Sequence, residues 1–372
     1  KGASMTLGIG LIGYGGIGRV HALCVRMLPL VYPELPPVRI VAVQTASKAS
    51  AERARHELGD VLATTRLDEL LAHPEVAIVD CCAPTGDHGP IAHAALAAGH
   101  ALFWEKPLAP TPEQSAQIVA EAERRGVAGG INFHFRQIPA LQEARRLIEN
   151  GLLGNVVGFH LRYYRASNLK RDRVLTWRFS GPGSGVLADL GSHMIDMTHY
   201  LLGPITHVAA QTRIVVAERP DTHGATVAVE GDDVAWLQVQ LENGGIGSIE
   251  ASKMVPGAGD DIRIEAYGTA GGLIFDTRDP NGLEIAEGTA SQGYRRIATL
   301  SRTQPPASLP SPETPTGVLS WHLASLRAFL EGYAGTPLPG APLLRDGLAV
   351  DRVIAAARAS AAEHAAWVDV QP

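Results

Sequence analysis

The chain has 372 residues, 45% of them hydrophobic and 19% charged, and a formal net charge of −6. At roughly 150 residues per domain that length suits two domains, and the acidic balance offers no basic field to draw nucleic acid. Three cysteines, Cys24 and the adjacent Cys81 and Cys82, form no C-x-x-C, so they suggest neither a disulfide framework nor a cysteine metal site, and they suit a reducing compartment.

Residues 1–4 precede Met5 and read as an expression-tag remnant. No apolar run reaches the roughly 20 residues that span a bilayer, so the expected address is the cytoplasm. Leu7–Ile12 reads as a buried strand. It enters Gly13-Tyr14-Gly15-Gly16-Ile17-Gly18, and a helix follows over Ile17–Leu28. Glycines at 13, 15 and 18 fit G-x-G-x-x-G. The first permits the turn, the second lets a pyrophosphate approach the backbone, and the third lets helix and strand pack closely. The helix N-terminus presents free N–H groups and partial positive charge to that pyrophosphate. Between a strand and a helix, the motif points to a nicotinamide or flavin cofactor; alone it also fits a ligand-free glycine turn.

Strands are expected at Val38–Val43, Val76–Cys82 and Ala101–Trp104. Helices are expected at Ala49–Leu58, Leu67–Leu71, Pro90–Ala98 and Thr111–Arg125, the last capped by Thr111 with Pro112 at its first position. This alternation predicts a doubly wound parallel sheet, a Rossmann-type α/β domain over residues 5–130. The remainder, 131–372, reads as an α+β domain. It opens with an amphipathic helix over Ile138–Asn150. Strands follow at 156–164, 205–216, 225–230, 233–241, 246–253, 261–267 and 272–276, the pattern of a large, mostly antiparallel open-faced sheet. Residues 303–315, rich in proline, serine and threonine, read as a surface loop. Val318–Tyr333 and Leu344–His364 read as helices and Trp367–Val370 as a last strand. A sheet with one bare face invites a second subunit, so a homodimer or homotetramer through that sheet is expected.

Three further segments carry chemistry. Glu105-Lys106-Pro107 follows a strand, at the carboxyl edge where ligands bind in open α/β sheets. A lysine there can donate to a substrate hydroxyl and stabilise alkoxide character. In Asp189-Leu190-Gly191-Ser192-His193-Met194-Ile195-Asp196, helical spacing puts Leu187, Leu190, Met194, Met197 and Leu201 on an apolar stripe and Asp189, His193, Asp196 and Tyr200 on another face. Asp189 and His193, four apart, can meet one ligand, and a histidine is suited to take a hydroxyl proton near neutral pH. A solvated helix face is the plain alternative. The third segment is His134-Phe135-Arg136-Gln137-Ile138-Pro139-Ala140.

With Gly13–Gly18, these segments in this order resemble the glucose–fructose oxidoreductase / inositol dehydrogenase / rhizopine-catabolism (Gfo/Idh/MocA) family from about residue 6 to the C-terminus. The resemblance implies that Lys106 is the catalytic lysine, His193 the general base and Asp189 a substrate ligand, with no metal. It also implies a cofactor-lining loop at Cys82–His88, where Pro84 and His88 match T-P-x-x-x-H and Ala83 replaces the usual threonine. Many members read F-N-x-R-x-x-P where this chain keeps Arg136 and has His134 in place of asparagine. Both are candidate substrate contacts, as is Tyr163 in the basic, aromatic stretch 162–178; His322 is a further candidate. Glu105 is expected to restrain the lysine turn beside the cofactor.

An NAD enzyme usually ends its second strand with an acid for the ribose hydroxyls. Here the tip reads Gln44-Thr45-Ala46-Ser47-Lys48, without one. Ser47 and Lys48 suit a 2′-phosphate, which favours NADP over NAD, although Gln44 or backbone groups can also hold a free ribose. The expectation is an NAD(P)-dependent oxidoreductase acting on a secondary hydroxyl or ketone of a sugar, anhydrosugar or cyclitol. Two alternatives stand beside it: glycoside cleavage through transient oxidation by bound NAD, and a non-enzymatic sensor that binds sugar and nucleotide.

Overall fold

The alternating apolar runs and amphipathic segments of the N-terminal third assemble, in the computed structural model, into a wholly parallel six-stranded sheet. The structure describes residues 6–288, 290, 292–300 and 316–371, and the chain falls into two units, residues 1–137 with 317–348 and residues 138–316 with 349–372. The expected loop at 303–315 lies outside the described residues.

The first unit runs β1 (Leu7–Ile12), α1 (Gly16–Val31), β2 (Val38–Gln44), α2 (Lys48–Leu58), β3 (Leu62–Thr64), α3 (Leu67–Leu71), β4 (Val76–Cys81), α4 (His88–Ala97), β5 (Ala101–Trp104), α5 (Pro112–Arg125) and β6 (Gly129–Ile131). Its strand order is β3-β2-β1-β4-β5-β6. The sequence reversal beside β1 puts the β1–α1 turn at a topological switch point, where such sheets bind ligands. Helix α1 runs three residues past the expected Leu28, through Pro29. The proline forfeits one backbone bond, but the Tyr32 N–H still reaches Leu28 O at 2.8 Å and closes the turn.

The second unit runs α6 (Pro139–Glu149), β7 (Val156–Tyr164), a π-helical turn (Leu187–Gly191) leading into α7 (Ser192–Leu201), β8 (Ile205–Arg213), β9 (Glu218–Pro220), β10 (Thr226–Ala228), β11 (Val234–Leu241), β12 (Ile246–Ser252), β13 (Asp261–Gly268), β14 (Gly271–Asp276), β15 (Gly282–Glu287) and β16 (Arg295–Ala298). Helix α8 (Val318–Tyr333) and the first turn of α9 (Leu344–Ala362) return to the first unit, while the rest of α9 and β17 (Val368–Asp369) complete the second. The nine-stranded sheet is ordered β16-β15-β14-β13-β7-β12-β11-β8-β17. Within this sheet, among the described residues, only β7 and β12 pair in parallel.

Period two decides its faces. In β11, Ala235, Leu237, Val239 and Leu241 are buried, whereas Trp236, on the opposite face, is 56% exposed. Two strand expectations are corrected. The segment 205–216 ends at Arg213, and 225–230 shrinks to β10, which pairs only with β9 in a separate ribbon. Strands β3 and β6, three residues each, and the charge-bearing β9, β15 and β16 gave no apolar alternation long enough to announce them.

Candidate functional site

The turn between β1 and α1 meets each demand of a pyrophosphate cradle. Gly13 has φ +87°, and a Cβ there would lie 2.7 Å from Cys82 O; a Cβ on Gly18 would lie 2.0 Å from Gly13 O. At both, the chain itself excludes a side chain. Gly15 differs: a Cβ there would meet nothing within 4 Å, so its exclusion serves space outside the protein. Gly15 caps α1 without a side-chain hydrogen bond, and no acid stands in the first turn. The leading N–H groups are left to an anion. Tyr14 is buried and its hydroxyl donates to Glu57 at 2.9 Å; burial and then that carboxylate push its pKa up. These residues fit a dinucleotide.

At the tip of β2, Ser47 caps α2 by accepting the Ser50 N–H at 3.2 Å, and Gln44 donates to Thr45 O at 3.2 Å. Lys48 is exposed. Arg53, which the sequence reading did not single out, donates to Tyr14 O at 3.4 Å and so joins this tip to the glycine turn.

Lys106 follows β5, and its peptide bond to Pro107 is cis. His88 ties this turn down from behind. It is 1% exposed; its Nδ1 lies 3.0 Å from Pro107 O and its Nε2 3.1 Å from Ala83 O, so the ring faces backbone carbonyls. Burial lowers its pKa. Pro84 immediately precedes the short helical turn Thr85–Asp87.

Beneath the turn lies a buried polar network that the sequence reading missed. His21 Nδ1 lies 2.8 Å from the Asp80 carboxylate and Nε2 lies 3.2 Å from that of Glu105. The Asn132 amide nitrogen lies 2.6 Å from Glu105 Oε1 and 2.8 Å from His322 Nδ1. Burial disfavours charge on Glu105, but its hydrogen bond to His21 and that ring's charge outweigh burial and hold the carboxyl at about 2. His322 is pushed well below the usual histidine range, first by burial and then by His134 and His21. His134 stacks on His322, ring centroids 3.9 Å apart. Arg136 is buried, pairs with Asp346 at 3.2 Å and donates to Gly340 O at 3.4 Å. His134, Arg136 and His322 therefore share the first unit. Among the described residues, His21 with Glu105 and His322, and His21 with Asp80 and Cys82, bring ligand-type atoms within 4.8 Å of one another.

In the second unit, the π-helical turn carries Asp189 and leads directly into α7 with His193. Such turns insert a residue into a helix and recur at functional sites. The plain alternative of a solvated helix face does not hold for its middle: His193 is 4% and Asp196 1% exposed. Asp189 is ion-paired with Lys253 and lies 3.5 Å from Arg178. Lys253 follows β12 and is buried; its position after a strand was the available signal. Tyr163 donates to Asp260 at 2.6 Å and its ring meets His193 edge-on at 6.2 Å. Burial, then Asp260, raises the Tyr163 pKa well above its ordinary value, so its hydroxyl keeps its proton. Arg162 faces Asp261 at 3.5 Å and Arg165 faces Asp260 at 3.2 Å.

Comparison with known proteins agrees with this anatomy. The Gfo/Idh/MocA profile described as "Oxidoreductase family, NAD-binding Rossmann fold" matches residues 7–133, and the one described as "Oxidoreductase family, C-terminal alpha/beta domain" matches residues 145–370. The chain is 29% identical to a levoglucosan dehydrogenase of Pseudarthrobacter phenanthrenivorans, over 98% of both proteins. It is 29% identical to a scyllo-inositol 2-dehydrogenase (NAD(+)) of Bacillus subtilis, over 72% of this chain and 73% of that protein. A solved levoglucosan dehydrogenase in complex with NADH and levoglucosan superposes with a TM-score of 0.91 at 28% identity, covering 99% of this chain and 100% of that one. Among the described residues, no helix is long and apolar enough to cross a membrane.

Proposed function

The chain belongs to the Gfo/Idh/MocA oxidoreductase family, an NAD-binding family, and on that footing we propose that it is an NAD(P)-dependent dehydrogenase of a secondary hydroxyl or ketone on a sugar, anhydrosugar or cyclitol. One observation carries the substrate class. The likeness to a levoglucosan dehydrogenase bound to NADH and levoglucosan runs through essentially both chains, in a protein that has Lys106, Asp189 and His193.

The first unit is read as the cofactor domain and the second as the substrate domain. Gly13, Tyr14, Gly15, Gly16, Ile17 and Gly18 would hold the pyrophosphate, and Pro84, His88 and Glu105 would shape the wall beside the nicotinamide. When bound, the nicotinamide supplies the site that accepts or returns a hydride. Lys106 donates to the reacting oxygen and stabilises its negative charge. His193 takes the hydroxyl proton. Asp189, paired with Lys253, accepts from a neighbouring substrate hydroxyl. Tyr163, His134 and Arg136 are further substrate contacts. Arg162, Arg165 and Arg178 each already face a carboxylate. That balance of charge favours a neutral polyol over an anionic sugar.

At the β2 tip, Ser47, Lys48 and the nearby Arg53 favour the 2′-phosphate of NADP. Lys48→Ala should weaken NADP binding about tenfold and leave NAD unchanged, since only NADP offers that anion. The bare sheet face bearing Trp236, Ile246 and Tyr267 is assigned to self-association in a homodimer or homotetramer. The experiment that tests the activity follows absorbance of reduced nicotinamide with NAD or NADP and a panel of sugars, anhydrosugars and inositols. Substrate-dependent reduction is expected. Glycoside cleavage without net cofactor turnover, or tight cofactor binding with no reaction across the panel, would overturn it.

A further inference from the structure

The polar network of the first unit joins residues from five parts of the fold, and the proposed reaction gives His21 no role. His21 comes from α1, Asp80 from β4, Glu105 from the end of β5, Asn132 from the end of β6 and His322 from α8. The residues are buried: His21 is 2%, Asp80 1%, Glu105 7% and Asn132 0% exposed. Strands β4 and β5 are paired neighbours, with Asp80 beside Phe103, so Asp80 and Glu105 come near each other inside the unit. Two buried carboxylates so placed repel and are poorly solvated. His21 answers both, with one ring nitrogen on each.

Its place in the chain gives this bridge a consequence. Helix α1 starts at the glycine turn, so His21 is fixed to the backbone expected to hold the cofactor. Glu105 immediately precedes Lys106, and the Lys106 N–H donates back to Glu105 Oε2 at 3.3 Å. Any swing of the Glu105 carboxylate pulls on the backbone that carries the lysine. We propose that His21 is a positioning residue for Lys106: by bridging Asp80 and Glu105 it locks the Glu105-Lys106-Pro107 turn to the helix that begins at the cofactor turn. The inference rests on reading Lys106 as the group that polarises the substrate oxygen.

The surroundings of His21 support a charged ring. Asp80 and Cys82 face it from β4 and the residue beyond, Glu105 from the turn, Asn132 from the residue after β6, His322 from α8 and Cys24 from its own helix. Burial opposes charge, but the Asp80 carboxylate outweighs it and raises the ring well above the ordinary histidine value. The Cys82 thiol is itself pushed up to about 12 by burial and stays protonated. A metal ion at this cluster would have to displace the bonds already made by both ring nitrogens.

The test uses the full chain with His21→Leu, His21→Gln, Glu105→Gln and the pair His21→Leu/Glu105→Gln. For His21→Leu we expect kcat to fall roughly 10- to 100-fold with a shifted pH profile, while sugar KM and the Kd for reduced cofactor stay within about threefold. The double variant should be no worse than His21→Leu alone, because both changes open the same bridge. His21→Gln, which keeps one donor, should recover part of the loss. Histidine-labelled protein should show one ring that keeps both nitrogens protonated to higher pH than an ordinary histidine, and His21→Gln should lack it. If His21→Leu does not fold, the glutamine variant and the wild-type ring signal carry the test.

Unchanged kcat and pH profile in a folded His21→Leu, additive losses in the double variant, or stoichiometric zinc in the purified protein would overturn the inference. Normal turnover by Lys106→Ala would overturn the role of Lys106 first and this inference with it. A crippled Lys106→Ala beside a normal His21→Leu overturns the inference alone.

Discussion

The two units solve the problem of holding polar groups in different ways. In the first, the glycine turn is built from what glycine omits: space at Gly15 and tolerated close approach at Gly13 and Gly18. The polar side chains behind it are buried in a network that joins neutral and ionised partners. In the second, the candidate substrate groups are charged side chains balanced pairwise, Asp189 with Lys253 and Arg178, Arg165 with Asp260, Arg162 with Asp261. Backbone geometry suits a ligand whose diphosphate never varies, whereas exchangeable side-chain pairs suit a site that has to distinguish one polyol from another.

Changes on either side of that divide should separate. Lys106→Ala and His193→Ala are expected to lower turnover by roughly 10²–10⁴ each and leave cofactor Kd nearly unchanged, as read by steady-state rates and fluorescence titration. Equal loss of cofactor binding in His193→Ala would erase the division of labour. Gly18→Ala should destabilise the fold by about 2–4 kcal/mol in chemical denaturation, because its Cβ meets backbone. Gly15→Ala should leave stability within about 0.5 kcal/mol and still weaken cofactor binding about tenfold or more. A similar outcome for both glycines would show that Gly15 is not an open cradle.

Lys253→Met should raise sugar KM about tenfold by loosening Asp189, with cofactor Kd unaffected. The smallest effect concerns pH. The folded-state value of His21 is raised above its ordinary 6.5, so its contribution to stability is complete below about 6.5 and is lost as pH rises through the higher folded value. Wild-type stability should therefore decline on the alkaline side by up to about 1.4 kcal/mol per pH unit, and His21→Gln should flatten that slope. Glu105 has the opposite sign: its contribution is present above 4.5 and is lost as pH falls towards about 2.

Much of this anatomy was legible before any coordinates. Leu67–Leu71, Ala101–Trp104, Val156–Tyr164 and Val318–Tyr333 fall where periodicity and flanking turns put them, because apolar spacing there is uninterrupted. The glycine turn was legible because φ and close approach admit only one residue type. The His21 network was not: its hydrogen bonds join residues 59, 84 and 111 positions apart, and no local pattern encodes such distances. Lys253 lies 64 residues beyond Asp189, so only the fold brings them together. The burial of His193 and Asp196 was likewise hidden, since helical spacing defines faces and cannot say that both are covered.

The most direct measurement uses a sugar substrate deuterated at the carbon to be oxidised and follows the label with the wild-type protein. Deuterium should appear in the reduced nicotinamide in step with ketone formation, with a primary isotope effect that grows when His193→Ala slows the chemical step. Sugar consumed by bond cleavage with no deuterium retained on free reduced cofactor would contradict the assignment of a dehydrogenase.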